Sequence, residues 1–501
     1  MKRLLCLLLI LIFTAGTASY AEGEIAPNWY EVFVRSYQDS DGDGIGDLNG
    51  LRARLDYIQD MGWGGLWLMP VMPSPSYHKY DVTDYCAIDA EYGTLDDMRS
   101  LIDECHARGI SLIIDMPINH TSTHHPWFEA ACEALAAGNT DDPHVEYYCF
   151  SRTGGSGFTP LEGTEWYYEE RFAGGGMPDL NLDNPVVLEQ IRGIFDFWLN
   201  DVGVDGFRLD AVTSYFTGDD SANVALLAEL KAIAETLKPG SFLVGECWAN
   251  LSTIARYYES GVDSFFLFPA AQAEGFIVSG IRSRKNPAGK FAAGYQKVLD
   301  AVPEGLLTPF LCNHDTGRTV GLVQGRGNLA AVKFAEGLLG MLTGSVFNYY
   351  GEEIGMVGSG EDPNKRLAMY WSESDMTMQP PGTTSIEYPY PPMEDQLEDP
   401  DSLLNYVRAV NQARLSHPSI AWGKNVTLLA EGNLLLMQRE TAEETCLIAV
   451  NFSSKESGRI GIDSCTIACD LETGGDSAEL ETAEGATWIC LPPMGIAVLL
   501  A

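Results

Sequence analysis

Three acidic residues each close a short apolar run. Asp210 ends Gly206-Phe207-Arg208-Leu209-Asp210, Glu246 ends Phe242-Leu243-Val244-Gly245-Glu246, and Asp315 closes Phe310-Leu311-Cys312-Asn313-His314-Asp315. Runs of this length and composition predict buried strands, so the three acids stand where a strand gives way to a loop. Two carboxyl groups held about 5 to 5.5 Å apart can open an acetal in two displacements, one attacking the carbon and the other protonating the leaving oxygen. A third acid raises the proton affinity of its neighbour and can hold the substrate. Arg208 precedes Asp210 by two residues, so both side chains project from the same strand face, and a cation there keeps Asp210 ionised.

A second acidic pattern is of another kind. Asp39-Ser40-Asp41-Gly42-Asp43-Gly44-Ile45-Gly46-Asp47 alternates carboxylates with small residues. Calcium requires six to eight oxygen ligands, and the glycines allow a loop to close tightly round it. The start mimics an EF-hand loop, but the twelfth position is Gly50 instead of a bidentate Glu, and no helix pair flanks it.

The elements that must carry these groups alternate between strand and helix. Strands are expected at Glu31 to Val34, Gly65 to Met69, Ser111 to Met116, Val204 to Leu209, Phe242 to Val244, Ser264 to Phe268, Pro309 to Cys312 and Val346 to Tyr350. Between them run helical periods with recognisable ends. Thr94 opens a capping box, Met98, Leu101, Ile102 and Cys105 share one face, and Gly109 follows. Asn184 caps the next helix, with Pro185 at its first position. Eight strands separated by helices predict an α/β fold, a closed (β/α)8 TIM barrel, with an open doubly wound sheet as the alternative. Barrel enzymes place their reactive groups at the carboxyl ends of the strands, which is where the three acids lie. The pattern lapses into an aromatic, glycine-rich stretch at 119–177, expected to be an inserted B domain after the third strand. The barrel then spans 22–118 and 178–410. From about Asn411 the period becomes strand-like, predicting an antiparallel β-sandwich domain over 411–501.

Residues 1–21 show a basic start, an apolar run from Leu4 to Phe13 and a small-residue end, the pattern of a secretory signal. The mature chain is expected to be secreted, extracellular or periplasmic. Beyond Phe13 no apolar run reaches the roughly 18 residues of a membrane span. The formal charge of -39 repels nucleic acid and anionic membranes and favours a neutral or cationic partner, for which a neutral polysaccharide is suited. Ten cysteines remain after cleavage, scattered and without metal-site spacing, and no particular pair is expected to bond. The protein is expected to act as a monomer.

Taken together these stretches resemble four short motifs of the α-amylase family of glycoside hydrolases. Asp115-Met116-Pro117-Ile118-Asn119-His120 is similar to the first, Gly206 to Asp210 to the second, Gly245-Glu246-Cys247-Trp248 to the third and Phe310 to Asp315 to the fourth. The resemblance implies that Asp210 is the nucleophile, Glu246 the general acid/base and Asp315 the stabiliser of the transition state. It assigns sugar-hydroxyl contacts to His120 and His314, and places Arg208 among the substrate-binding residues. Tyr77 to Tyr85 resembles the family's stacking loop, with Tyr80 facing the glucose beside the scissile bond. Asp81 and Arg366 match a pair that grips the same glucose in oligo-1,6-glucosidase-like members. The acidic loop resembles the calcium loop of those members, which implies Ca2+ ligands from Asp39, Asp41, Asp43, Asp47 and the carbonyl of Ile45. Met177-Pro178-Asp179-Leu180-Asn181 resembles a fifth motif, intermediate between the oligo-1,6-glucosidase and neopullulanase types.

The implied activity is retaining hydrolysis of α-1,4 bonds in starch-like glucans and maltooligosaccharides. Ala211, after the nucleophile, resembles members that prefer α-1,4 bonds. Asp210-Ala211-Val212-Thr213-Ser214 lacks the Lys-His pair that many α-amylases carry there, which leaves an exo-acting α-glucosidase or a glucan transferase as the alternative. A non-catalytic glycan-binding protein on the same scaffold is the alternative of another class.

Overall fold

The computed structural model describes residues 25–463, 465–483 and 485–500. The signal-like segment therefore lies outside the described residues. Eight parallel strands form one sheet: β1 (Asn28–Val32), β2 (Gly65–Leu68), β3 (Ser111–Met116), β4 (Gly206–Leu209), β5 (Phe242–Gly245), β6 (Ser264–Phe266), β7 (Leu306–Thr308) and β8 (Val346–Tyr349). Neighbours follow chain order from β1 to β7, and β8 pairs with β1. The ring closes where Ser345 N donates to Leu307 O at 2.9 Å and Phe347 N donates to Pro309 O at 3.0 Å. The sheet is a barrel, not the open alternative.

Each strand is short and buried on both faces, as parallel strands beneath helices must be. The β1 sequence Asn28-Trp29-Tyr30-Glu31-Val32 is buried throughout, with Trp29 stacked on Phe347 inside the ring. The helix Leu95–Ala107 starts at a capping box formed by Thr94 and Asp97 and buries Met98, Leu101, Ile102 and Cys105. The helix Pro185–Asp196 is capped by Asn184 and passes into a π-helical turn, Phe197–Val202, which ends at left-handed Gly203.

Several boundaries differ from the sequence reading, among them the following. The seventh strand is Leu306–Thr308 and not Pro309 to Cys312, because Pro309 has no N–H to continue the ladder with β6. Beyond it only Phe310 makes an isolated bridge, to Phe347. The first strand ends at Val32, and Val34–Ser36 turns as a 3-10 helix. Strand-like structure begins at Lys424 instead of Asn411: Leu403–Ser416 is a helix that packs against Leu329–Gly340, so its apolar residues repeat at helical and not alternate spacing.

Between β3 and β4 the chain forms the helix Pro126–Ala136 and a three-stranded antiparallel sheet of Phe150–Ser151, Tyr167–Glu169 and Phe158–Pro160. After Gly423 two antiparallel sheets follow, of five and three strands. Ile448, Val450, Ile496 and Val498 join the core shared with the barrel, while Leu436, Ala449, Ala497 and Leu499 pack with Ile460 and Ile489 in a second core. Strand alternation thus gives the five-stranded sheet two buried faces.

Candidate active site

The loops at the carboxyl ends of the barrel strands surround a cavity of about 490 Å³ lined by Asp210, Glu246, Asp315, Tyr80, His120 and Arg366, among others. The third acid faces it from beyond β7, on the loop that follows Pro309. One cation organises its floor. Arg208 on β4 is fully buried; its Nη1 donates to Asp210 Oδ1 at 2.5 Å and to both oxygens of Asp115 at 2.8 and 3.0 Å. Its Nη2 stands 3.1 Å from Glu246 Oε2. A single guanidinium therefore touches the carboxylates that end β4 and β5, the pair expected to share the chemistry.

Backbone geometry completes that pairing. Ala211 adopts a left-handed conformation, φ 46°, one of the few non-glycine residues to do so. That turn aims its N–H at Glu246 Oε2, 3.1 Å away. Oε2 thus accepts the backbone N–H and lies at ion-pair distance from the arginine. Burial pushes the Glu246 carboxyl up to about 7; Arg208 opposes the rise, and Asp210 and Asp315 reinforce it.

Asp315 behaves in the opposite sense. Burial works against its charge, but His314, Arg366 and Arg208 outweigh burial and hold the carboxyl well below the usual range. Arg366 Nη2 donates to Asp315 Oδ1 at 2.8 Å, and His314 Nε2 is 3.1 Å from Oδ2. His314 is itself pushed up to about 10: burial lowers it, while Asp315 and Glu31 raise it by more. As an imidazolium it donates from Nδ1 to Glu31 Oε1 at 2.5 Å, and Tyr80 Oη lies 2.8 Å from Nε2 while donating to Asp115 Oδ2 at 2.9 Å. Tyr80 is pinned at both partners.

Three of the expected sugar contacts are placed elsewhere. His314 is completely buried and does not line the cavity, because both ring nitrogens are spent on protein partners; it holds Asp315 and Tyr80. Arg208 lies beneath the carboxylates and has no surface left for a sugar. Asp81 is buried beside the cavity, accepting hydrogen bonds from Ser74 Oγ at 2.6 Å and from Ser76 Oγ. It does not meet Arg366. The acid that does is Asp362, whose Oδ2 is 3.0 Å from Arg366 Nη1 and also accepts from Tyr77 Oη at 2.6 Å. His120, by contrast, lines the cavity with its buried Nε2 lacking any protein partner, and burial keeps its ring neutral. It is free to meet a ligand hydroxyl.

Other residues of the site escaped the sequence reading. Asp362 lies four residues before Arg366, one helical turn, a spacing that could have suggested the pair. Glu31 is a lone acid in an apolar strand, which is itself a signal of a buried partner. Trp248, 49% exposed and stacked on Phe268 with ring centroids 4.8 Å apart, and Phe172, 40% exposed, leave aromatic surface uncovered at the cavity. The fifth motif serves as a latch: Asp179 accepts from Asn119 Nδ2 at 3.0 Å, and Thr121 N donates to Pro178 O, tying the insertion to the end of the first motif.

In the acidic loop, Asp39, Asp41 and Asp43 bring ligand oxygens within 4.8 Å of one another. Asp39 also accepts backbone N–H groups from Asp41, Gly42 and Gly44, which hold its carboxyl below the ordinary value although burial acts against them. Asp47 points away from this cluster as the cap of the helix Leu48–Ala53, accepting from Gly50 N and Ser40.

The family model for the alpha amylase catalytic domain matches residues 31–423. The chain is 34% identical over 446 residues to alpha-amylase 3 of Dictyoglomus thermophilum, covering 86% of this chain and 85% of that one. It is 28% identical over 531 residues to an oligo-1,6-glucosidase of Parageobacillus thermoglucosidasius, covering 85% and 90%. Among solved structures, Amy13B of Eubacterium rectale superposes with a TM-score of 0.90 at 38% identity, covering 94% of this chain and 95% of that one. The alpha-amylase of H. orenii gives 0.83 at 31%, covering 94% and 99%.

Proposed function

The chain belongs to the α-amylase family of glycoside hydrolases, and on that premise we propose that it cleaves α-1,4-glucosidic bonds of starch-like glucans with retention at the anomeric carbon. The observation that carries this reading is the guanidinium of Arg208 touching both Asp210 and Glu246. Two carboxylates on one planar cation are near enough for one to attack the carbon whose leaving oxygen the other protonates. An inverting site spreads its carboxyls over roughly 6.5 to 9.5 Å to seat a water between base and sugar.

In the proposed mechanism the glucose ring lies against Tyr80, which His314 and Asp115 hold in place, and His120 Nε2 meets one of its hydroxyls. Asp210, held by the hydrogen bond from Arg208, attacks the anomeric carbon. Glu246 delivers its proton to the departing oxygen, and the bond between sugar and Asp210 replaces the glucosidic bond. Glu246, now charged, takes a proton from water, whose oxygen displaces Asp210 from the same face as the leaving group departed. Asp315, held ionised by His314 and Arg366, offsets the positive charge that grows on the ring. Asp81 Oδ1 accepts from two serines and Arg366 pairs with Asp362 instead, so the oligo-1,6-glucosidase-like clamp is not assembled here.

The loop of Asp39, Asp41 and Asp43 is suited to a calcium ion, with the Ile45 carbonyl as a further oxygen donor and Asp47, expected as a ligand, capping the next helix instead; bound there, the ion would neutralise three carboxylates crowded together. Its role is stability, remote from the reacting groups. Export is supported by the composition of residues 1–21, and the acidic surface suits a neutral substrate. Incubation with a linear maltooligosaccharide and chromatography of the products tests the reading. A series of short maltooligosaccharides supports it, glucose alone indicates exo attack, and no cleavage rejects it.

A further inference from the structure

His78 and Tyr80 both line the cavity, and the residue between them faces the other way. Lys79 is only 3% exposed and has a left-handed backbone, φ 66°. Its Nζ lies 2.7 Å from Asp89 Oδ2 and 2.7 Å from Glu91 Oε2. Asp89 is itself fixed, taking N–H bonds from Ser74 and Glu91. Glu91 also faces Arg35, just beyond β1, at 3.5 Å. A lysine is seldom buried, and a side-chain-bearing residue seldom adopts this left-handed conformation, which is strained for it. Both costs are met here at one residue, immediately before the ring on which the substrate is read to stack.

We propose that Lys79 is a positioning residue for the cavity's aromatic wall: its buried ammonium ties the loop bearing His78 and Tyr80 to Asp89 and Glu91. The left-handed turn sends side chains 78 and 80 towards the cavity while 79 enters the protein, and the two ion pairs hold the turn in that sense. From this backbone position Tyr80 reaches Asp115 and His314. The inference rests on the proposed function for its consequence in turnover, but not for its mechanical content.

Lys79→Gly is the discriminating variant, because glycine adopts φ 66° without strain and deletes only the tie. Misplacement of a substrate-positioning group by about 1 Å can cost about 10²-fold, and a loss of about 10- to 100-fold in kcat/KM for maltotriose is expected, measured well below the thermal midpoint. Tyr80→Ala should cost far less in the Lys79→Gly background than in the wild type, since the ring is already displaced. Lys79→Arg should recover part of the loss. Wild-type kcat/KM in a folded Lys79→Gly protein, or strictly additive effects with Tyr80→Ala, overturns the inference. If Lys79→Gly fails to fold, Glu91→Ala loosens the same tie at a 41% exposed carboxylate. It should lower kcat/KM by up to about fivefold, and an unchanged value overturns the inference. Amide exchange over residues 77–85 needs no substrate and should accelerate in either variant. Unaltered exchange defeats the positioning role even where the wild type proves inactive on glucans, so the two readings fail separately.

Discussion

The raised proton affinity of Glu246 sets a measurable limit on the pH range of the enzyme. Burial among carboxylates pushes this group up to about 7, and glucosidic cleavage needs it protonated. At pH 6 about ten-elevenths of the free enzyme then carries the proton and at pH 8 about one-eleventh, so kcat/KM on maltooligosaccharides should fall about tenfold between them. Initial rates of reducing-sugar release across this range give the profile. A dinitrophenyl α-maltoside, whose leaving group departs as an anion, should show a much shallower decline, and Glu246→Gln should lose far more activity on maltooligosaccharides than on the aryl substrate. The stability consequence runs in the same direction with pH. A carboxyl whose native value lies above its ordinary one stabilises fully below that ordinary value, and the stabilisation is lost as pH rises to about 7. Glu246→Gln escapes that loss and should be the more stable protein at pH 8, by about 3 kcal/mol relative to its standing near pH 4. An alkaline limb common to both substrates, or surviving in Glu246→Gln, would refute the assignment of Glu246 as proton donor.

Asp210→Asn should lower kcat by about 10⁴-fold or more in a protein that still folds cooperatively, because the nucleophile's charge is removed while Asp115 and Glu246 still face Arg208; substantial turnover of maltooligosaccharides would place the nucleophile elsewhere. Removal of calcium by a chelator should lower the thermal midpoint, and Asp43→Ala should reproduce the shift; saturation at about 100 times Kd contributes about 2.7 kcal/mol, and a midpoint indifferent to both treatments would show that the loop holds no ion. Asp362→Ala should raise KM for short maltooligosaccharides more than Asp81→Asn does, since Asp362 and not Asp81 meets Arg366; the reverse order in steady-state kinetics would restore the expected pair.

Where local pattern and tertiary demand agree, the fold was legible in the sequence. Thr94 with Asp97, and Asn184 with Pro185, mark helix starts by chemistry that acts within four residues, and both starts stand where they were read. The eight strands were visible because a parallel strand covered on both faces must be apolar throughout. Pro309 shows the limit: an apolar run reads as strand, but which of its residues keep the ladder depends on the N–H that proline lacks. Leu403–Ser416 shows another, since an apolar helix facing a second helix and a strand facing a sheet share many residue types.

The site was legible one residue at a time, its wiring much less so. Asp210, Glu246 and Asp315 announce themselves at strand ends, and all three face one cavity. What His314, Arg208 and Asp81 touch is decided by partners 93 to 283 residues away, or by serines a few residues back whose hydroxyls could have pointed elsewhere. A histidine that could donate to a sugar and one that is consumed by Glu31 and Asp315 look identical in one dimension. The same holds for Lys79, an ordinary surface residue by composition that the backbone turns inward.

The central claim is that Asp210 forms the bond to the sugar, and trapping that bond tests it most directly. A 5-fluoro-α-glycosyl fluoride reacts readily at the first step and slowly at the second, because the ring fluorine disfavours charge at the anomeric centre while fluoride leaves easily. Incubated with the protein, digested and analysed by mass spectrometry, it should leave one glycosyl ester, on the peptide containing Asp210. Proton NMR of the sugar first released from a maltooligosaccharide should agree by showing the α-anomer. An ester on another carboxylate, or no adduct together with an initial β-anomer, would contradict the account.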